Sequence, residues 1–103
     1  MMMRLLAAVV VVTGAWALNF VDRDGTHTQG YCTFTQTDEK LSGECGAERT
    51  GGMPLTGEIH GQEVTWRVRG GASFKAILDE HGDFMNGSFS ERSDGIFTGT
   101  RTK

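Results

Sequence analysis

The chain has 103 residues, with 15 Gly, 1 Pro and 12 Thr, 38% apolar and 22% charged, the composition of one small globular domain able to bury its own core. Ten Lys and Arg against 13 Asp and Glu leave a net charge of −3, so there is no basic footprint for a phosphate backbone and nucleic acid is excluded as a partner. The glycines follow no three-residue period and large apolar residues recur throughout, which excludes collagen and disorder. Two cysteines are too few for a four-ligand zinc site and enough for one disulfide.

At the N-terminus, Arg4 precedes eight apolar residues, Leu5 to Val12. This has the form of a short secretory signal peptide, with Ala15-Trp16-Ala17 as a small-x-small cleavage box releasing a chain from Leu18. The competing reading makes Thr13 to Val21 a strand, because Trp16, Leu18 and Phe20 alternate with Ala17 and Asn19. Both cannot hold, since cleavage after Ala17 removes Trp16. The strand is preferred for the closure argument below. Residues 1–12 are then a short hydrophobic segment, a remnant signal sequence, ahead of a single β-barrel domain at 13–103. The apolar stretch falls short of the about 20 residues a membrane-spanning helix needs, so no membrane span is expected.

From there on, period-2 alternation broken by Gly, Asn or Asp predicts eight strands, near 13–21, 29–36, 41–46, 53–60, 63–69, 72–79, 84–91 and 95–102. Hairpin turns at Asp38-Glu39, Gly61-Gln62 and His81-Gly82 fix the registers. Cys32 then opposes Cys45 and Phe34 opposes Gly43; Ile59 opposes Val64 and Gly57 opposes Trp66; Leu78 opposes Met85 and Phe74 opposes Phe89. A short repeat, large-x-Gly-x-large, emerges in Val12-Thr-Gly14-Ala-Trp16, Leu41-Ser-Gly43-Glu-Cys45, Leu55-Thr-Gly57-Glu-Ile59, Met85-Asn-Gly87-Ser-Phe89 and Phe97-Thr-Gly99-Thr-Arg101. Glycine inside a strand marks a bend or close approach, so inward glycines predict a tightly curved sheet around bulky rings. The fold class that follows is all-β, an eight-stranded antiparallel up-and-down barrel, whose closure removes both exposed edges. Its first and last strands pair, bringing Trp16 and Arg101 to one end.

The opposed cysteines have the geometry of a cross-strand disulfide, and a disulfide implies an oxidising compartment, so a periplasmic or secreted protein. A reactive thiol pair is the alternative, disfavoured by the absence of Cys-x-x-Cys and the inward site; in a cytosolic chain the two would be small core residues.

Gly14-Ala-Trp16 at the start and Gly95-Ile-Phe97-Thr-Gly99-Thr-Arg101 at the end, with Cys32-Thr-Phe34-Thr-Gln36, Lys40-Leu-Ser-Gly43 and Pro54-Leu-Thr-Gly57 between them, resemble the lipocalin-like, or calycin, class of barrels, and its short bacterial members in particular. The resemblance covers the chain from about Val12 onward. It implies that Arg101 packs over Trp16 and closes the barrel base, a structural pair. The chain departs from larger lipocalins in its shorter strands and in lacking a long C-terminal helix, which argues against a roomy interior.

No catalytic residues are assigned. The chain shows no Ser/His/Asp order, no paired carboxylates on an inward face and no phosphate loop, so it does not read as an enzyme, and no cofactor is called for. His60 and His81 share the tight-turn end with Asp38, Glu39, Glu80 and Asp83, while His27 sits at the other. All three read as solvated turn residues, and no metal site is expected. What remains is the interior. The longer connections, 22–28, 47–52, 70–71 and 92–94, open the barrel at the end opposite the tight turns. Phe20, Phe34, Trp66, Phe74 and Met85 are the expected walls of an apolar ligand pocket, unless side chains simply fill the barrel. Three functions follow. The first is a small-molecule binding barrel for a hydrophobic ligand. The second is a protein-interaction module such as a protease inhibitor, which some small barrels of similar appearance are; the short N-terminal arm argues against it. The third is a filled structural barrel without ligand.

Overall fold

The computed structural model describes residues 11–47, 51–92 and 94–102. In chain order the strands are β1 (Gly14–Asp22), β2 (His27–Thr37), β3 (Lys40–Ala47), β4 (Gly51–His60), β5 (Glu63–Val68), β6 (Ser73–Leu78), β7 (Phe84–Ser90) and β8 (Asp94–Arg101). Each pairs antiparallel with the next, and β8 returns to β1, so the barrel is closed with up-and-down topology. The seam sets Trp16 opposite Arg101, Leu18 opposite Gly99 and Phe20 opposite Phe97.

All three hairpin registers are those the alternation predicts, including Cys32 against Cys45, Gly57 against Trp66 and Phe74 against Phe89. At Gly61 the backbone takes φ 63°, the left-handed conformation a first-position turn glycine supplies without strain. Asp38 does the same at φ 57°, tolerable because a short polar side chain can bond locally. One turn differs from expectation. His81-Gly82 is not a two-residue turn, because β6 ends at Leu78 and β7 begins at Phe84. The Asp79 carboxylate accepts the amides of Asp83 and Phe84, and its carbonyl accepts that of Gly82, so a wider loop is stable while the register stays in phase.

Inside, the core runs from Val12, Trp16 and Leu18 through Phe34, Leu41, Leu55, Ile59, Val64 and Trp66 to Leu78, Met85 and Phe97. Five of the six phenylalanines and Trp66 form one connected aromatic column. Trp66 stacks on Phe74 at 4.9 Å between ring centroids, meets Phe34 and Phe97 edge-on, and Phe74 and Phe97 lead on to Phe20 and Phe89. Rings of this size fit because the sheet bends hard where side chains are missing. A Cβ on Gly57 would strike the Thr65 carbonyl and lie 2.6 Å from the Trp66 Cβ, and one on Gly87 would strike the Lys75 carbonyl. Cys32 and Cys45 form a disulfide between β2 and β3, with Cα atoms 4.0 Å apart; an intramolecular disulfide fits an oxidising, extracellular or periplasmic, environment.

Candidate functional site

The two ends of the barrel are chemically different. At the tight-turn end, alternation on β8 brings Arg101 inward, and its guanidinium lies 4.8 Å from the Trp16 ring centroid. Nε and Nη2 donate to the Gly82 carbonyl at 3.0 and 2.8 Å, Nη2 also to the Val11 carbonyl, and Nη1 to that of Thr13. The Trp16 indole N–H donates to the Val12 carbonyl at 2.9 Å, and the Val12 side chain is fully buried. Gly14 belongs to the same lock: at φ +133° it is favoured as glycine, and a Cβ there would lie 2.7 Å from Arg101 Nη1. This end is sealed by residues 11–16, the 79–83 loop and one guanidinium. The expected Trp16–Arg101 contact is present, and the core reaches back to Val12, one residue beyond the predicted start of the domain. Of residues 1–12, read as a remnant signal, 1–10 lie outside the described residues, while Val11 and Val12 take part in this lock.

The opposite end is open. There the inward positions of β1, β4, β5, β6 and β7 carry Phe20, Met53, Val68, Phe74 and Phe89, and the aromatic column ends in rings that are not fully covered. Two adjoining cavities lie over it. One of about 340 Å³ is lined by Phe20, Tyr31, Met53, Val68, Arg69, Phe74 and Glu91 among others. The second, of about 220 Å³, is lined by Phe20, Asp22, Thr28, Phe74, Phe89 and Glu91. Tyr31 donates its hydroxyl to Glu44 at 3.3 Å, and partial burial, with that carboxylate beside it, holds the phenol above its ordinary 10. A larger depression of about 730 Å³ lies on the outer wall across β3 to β6. Outward-facing Lys40, Thr56, Glu58, Thr65, Arg67 and Ser73 line it together with Leu41, Trp66 and Phe74, so charged groups and apolar atoms share its surface.

No family model and no curated protein matches the chain. Its fold is shared with designed proteins. A redesigned β-barrel superposes with a TM-score of 0.62 at 14% identity, over 94% of this chain and 96% of that one. A de novo designed fluorescence-activating β-barrel superposes with a TM-score of 0.59 at 16% identity, over 95% of this chain and all of that one. At such identities the likeness shows the eight-stranded barrel and nothing finer.

Of the five residues expected to wall a pocket, Phe20 and Phe74 line the open mouth. Phe34 and Trp66 sit below them within the filled column, and Met85 is fully buried. Met53, Val68 and Phe89 complete the apolar rim. The sequence reading found no paired carboxylates on an inward face, and here the structure differs. Asp22 and Glu91 continue the inward phase of Phe20 and Phe89 by one step and line the same cavity. Alternation followed past the last apolar residue of each strand carries that signal. His60 lies at the sealed end, hydrogen-bonded to Glu58 at 2.9 Å and Glu39 at 3.2 Å. Among the described residues no three His, Cys, Asp or Glu side chains are placed to hold a metal ion, and no helix is long and apolar enough to cross a membrane.

Proposed function

We propose that this protein is a secreted or periplasmic lipocalin-like barrel that binds a small hydrophobic molecule, and that it is a binding protein rather than an enzyme. The observation that supports this reading is the asymmetry of the ends: one locked by Arg101 over Trp16, the other opening on incompletely covered aromatic rings. Because Phe34, Trp66 and Phe97 fill the waist, the ligand sits at the mouth on Phe20 and Phe74 rather than deep inside. An apolar guest there removes ring surface from water at roughly 25 cal/mol per Å². The filled waist also favours a second reading, a structural barrel without ligand.

Trp66 stacks on Phe74, so its fluorescence reports on the floor of the mouth. Titration with a panel of hydrophobic probes is expected to change that emission and, at about a hundred times Kd, to raise the thermal midpoint by on the order of 10 °C. Phe74→Ala should weaken both responses. No emission change and no thermal shift with any probe would leave the filled barrel as the correct reading.

A further inference from the structure

The smaller mouth cavity has a floor and a rim of contrasting chemistry. Its floor is Phe20, Phe74 and Phe89, with Phe20 edge-on to Phe89 at 5.3 Å and tilted against Phe74 at 6.0 Å. Its rim is the Thr28 hydroxyl and two carboxylates, Asp22 and Glu91, and no cation lines it. Neither carboxylate has an ion-pair partner among the described residues. Arg23, next to Asp22 in the chain, is held instead by Asp94 at 3.5 Å. Arg69 lines the adjoining cavity, which it shares with Glu91, and not this one.

We propose that the mouth selects an amphipathic organic cation, an aryl- or alkylammonium. Its apolar body rests on Phe20, Phe74 and Phe89, and its ammonium lies between Asp22 and Glu91. This rests on the mouth being a ligand site and adds the charge of the ligand. Aromatic faces attract a cation through the ring quadrupole, more strongly as water is excluded. The two carboxylates at the edge of an apolar cavity add a field of the same sense. A fatty-acid-like anion would place its head against two like charges, which is selection by repulsion as well as attraction.

Three probes of nearly one shape separate the possibilities: benzyltrimethylammonium, its uncharged isostere neopentylbenzene, and 4-tert-butylbenzoate. Each is titrated into the full chain and followed by tryptophan emission and by the NMR shifts of the phenylalanine rings. The ammonium is expected to bind about tenfold tighter than the hydrocarbon, and the carboxylate more weakly than either. Raising the salt to about 0.5 M should narrow the preference. In the Asp22→Asn, Glu91→Gln double variant the ratio of ammonium to hydrocarbon affinity should fall several-fold, to the remainder that the aromatic rings alone supply. Asp22→Asn and Glu91→Gln singly should give intermediate ratios. Equal affinities for the three probes, or tightest binding of the carboxylate, would overturn charge selection while leaving a ligand site in place. A preference undiminished in the double variant would also overturn it. Absence of binding by all three would overturn the ligand-site reading and this inference with it.

Discussion

Two tryptophans fill this barrel, and their indole nitrogens have opposite fates. Trp16 Nε1 donates to the Val12 carbonyl, whereas Trp66 Nε1 is buried with no acceptor among the described residues. An orphaned buried donor costs about 1–3 kcal/mol. Replacing Trp66 by Phe therefore removes a penalty together with some volume, and the two effects oppose each other. Replacing Trp16 by Phe removes volume, strands the Val12 carbonyl and thins the ring under Arg101, and these effects add. In urea unfolding, Trp16→Phe should cost about 2–4 kcal/mol and Trp66→Phe at least about 1 kcal/mol less. Equal losses would show that the Trp66 N–H finds an acceptor in solution. At the surface, His60 is flanked by two carboxylates, and its hydrogen bond to Glu58, then that to Glu39, raises its pKa above the ordinary 6.5. Because the folded value is the higher one, the stabilisation is complete below pH 6.5 and is lost as the pH rises through the folded pKa. The exposure of the pair keeps the effect small. An NMR titration should place the His60 midpoint above 6.5 and return it toward that value in Glu58→Gln; an unmoved midpoint would remove the coupling.

Within the strands, shape is set by what glycine leaves out and by one covalent tie. Gly57→Ala would drive a methyl into the Thr65 carbonyl and the base of Trp66, both anchored in the neighbouring strand. The expected loss is about 2–3 kcal/mol, at the upper end of overpacking because backbone must move; a loss under about 0.5 kcal/mol in chemical denaturation would show that β4 and β5 can part freely. The Cys32–Cys45 bridge closes a short loop already tied by its hairpin. Replacing both cysteines by Ala should cost about 3 kcal/mol in the chain-entropy account, with the barrel retained by circular dichroism. These strand features were legible in the sequence, because period-2 alternation and two-residue turns leave one register that puts every large apolar residue on one face. The 79–83 loop was not, because there the turn is set by the Asp79 carboxylate capping amides, which leaves the register unchanged and so unmarked. The mouth was half legible. Phe20 and Phe74 announce themselves as apolar, but Asp22 and Glu91 hold inward positions where the apolar pattern has already ended. Asp22 falls in the expected 22–28 connection, and Glu91, the last residue of the expected strand 84–91, is polar and so is not marked as inward.

Closure is a property of the whole molecule, and it depends on a few residues at the sealed end. A cylinder of eight short strands has no exposed edge only while β1 stays against β8, and the contacts that fasten this end gather on Arg101: the Trp16 ring, the Val11 and Thr13 carbonyls and the Gly82 carbonyl. Chains begun at different points test how far the fastening extends. A chain from Val11 keeps every one of these partners and sets the reference. A chain from Thr13 keeps the Arg101–Trp16 contact but loses the buried Val12 side chain, the acceptor for the Trp16 indole and one acceptor for Arg101. Its cost should be about 2–4 kcal/mol, a deleted core side chain plus a broken buried hydrogen bond. A chain from Leu18 loses Trp16 itself, every Arg101 partner supplied by residues 11–16, and two of the seven residue pairs of the seam with β8. It is expected to expose the β8 edge and to aggregate or stay unfolded, as seen by loss of the far-ultraviolet strand signal and by light scattering. A Leu18 chain that melts cooperatively near the reference would show that the barrel does not need this lock.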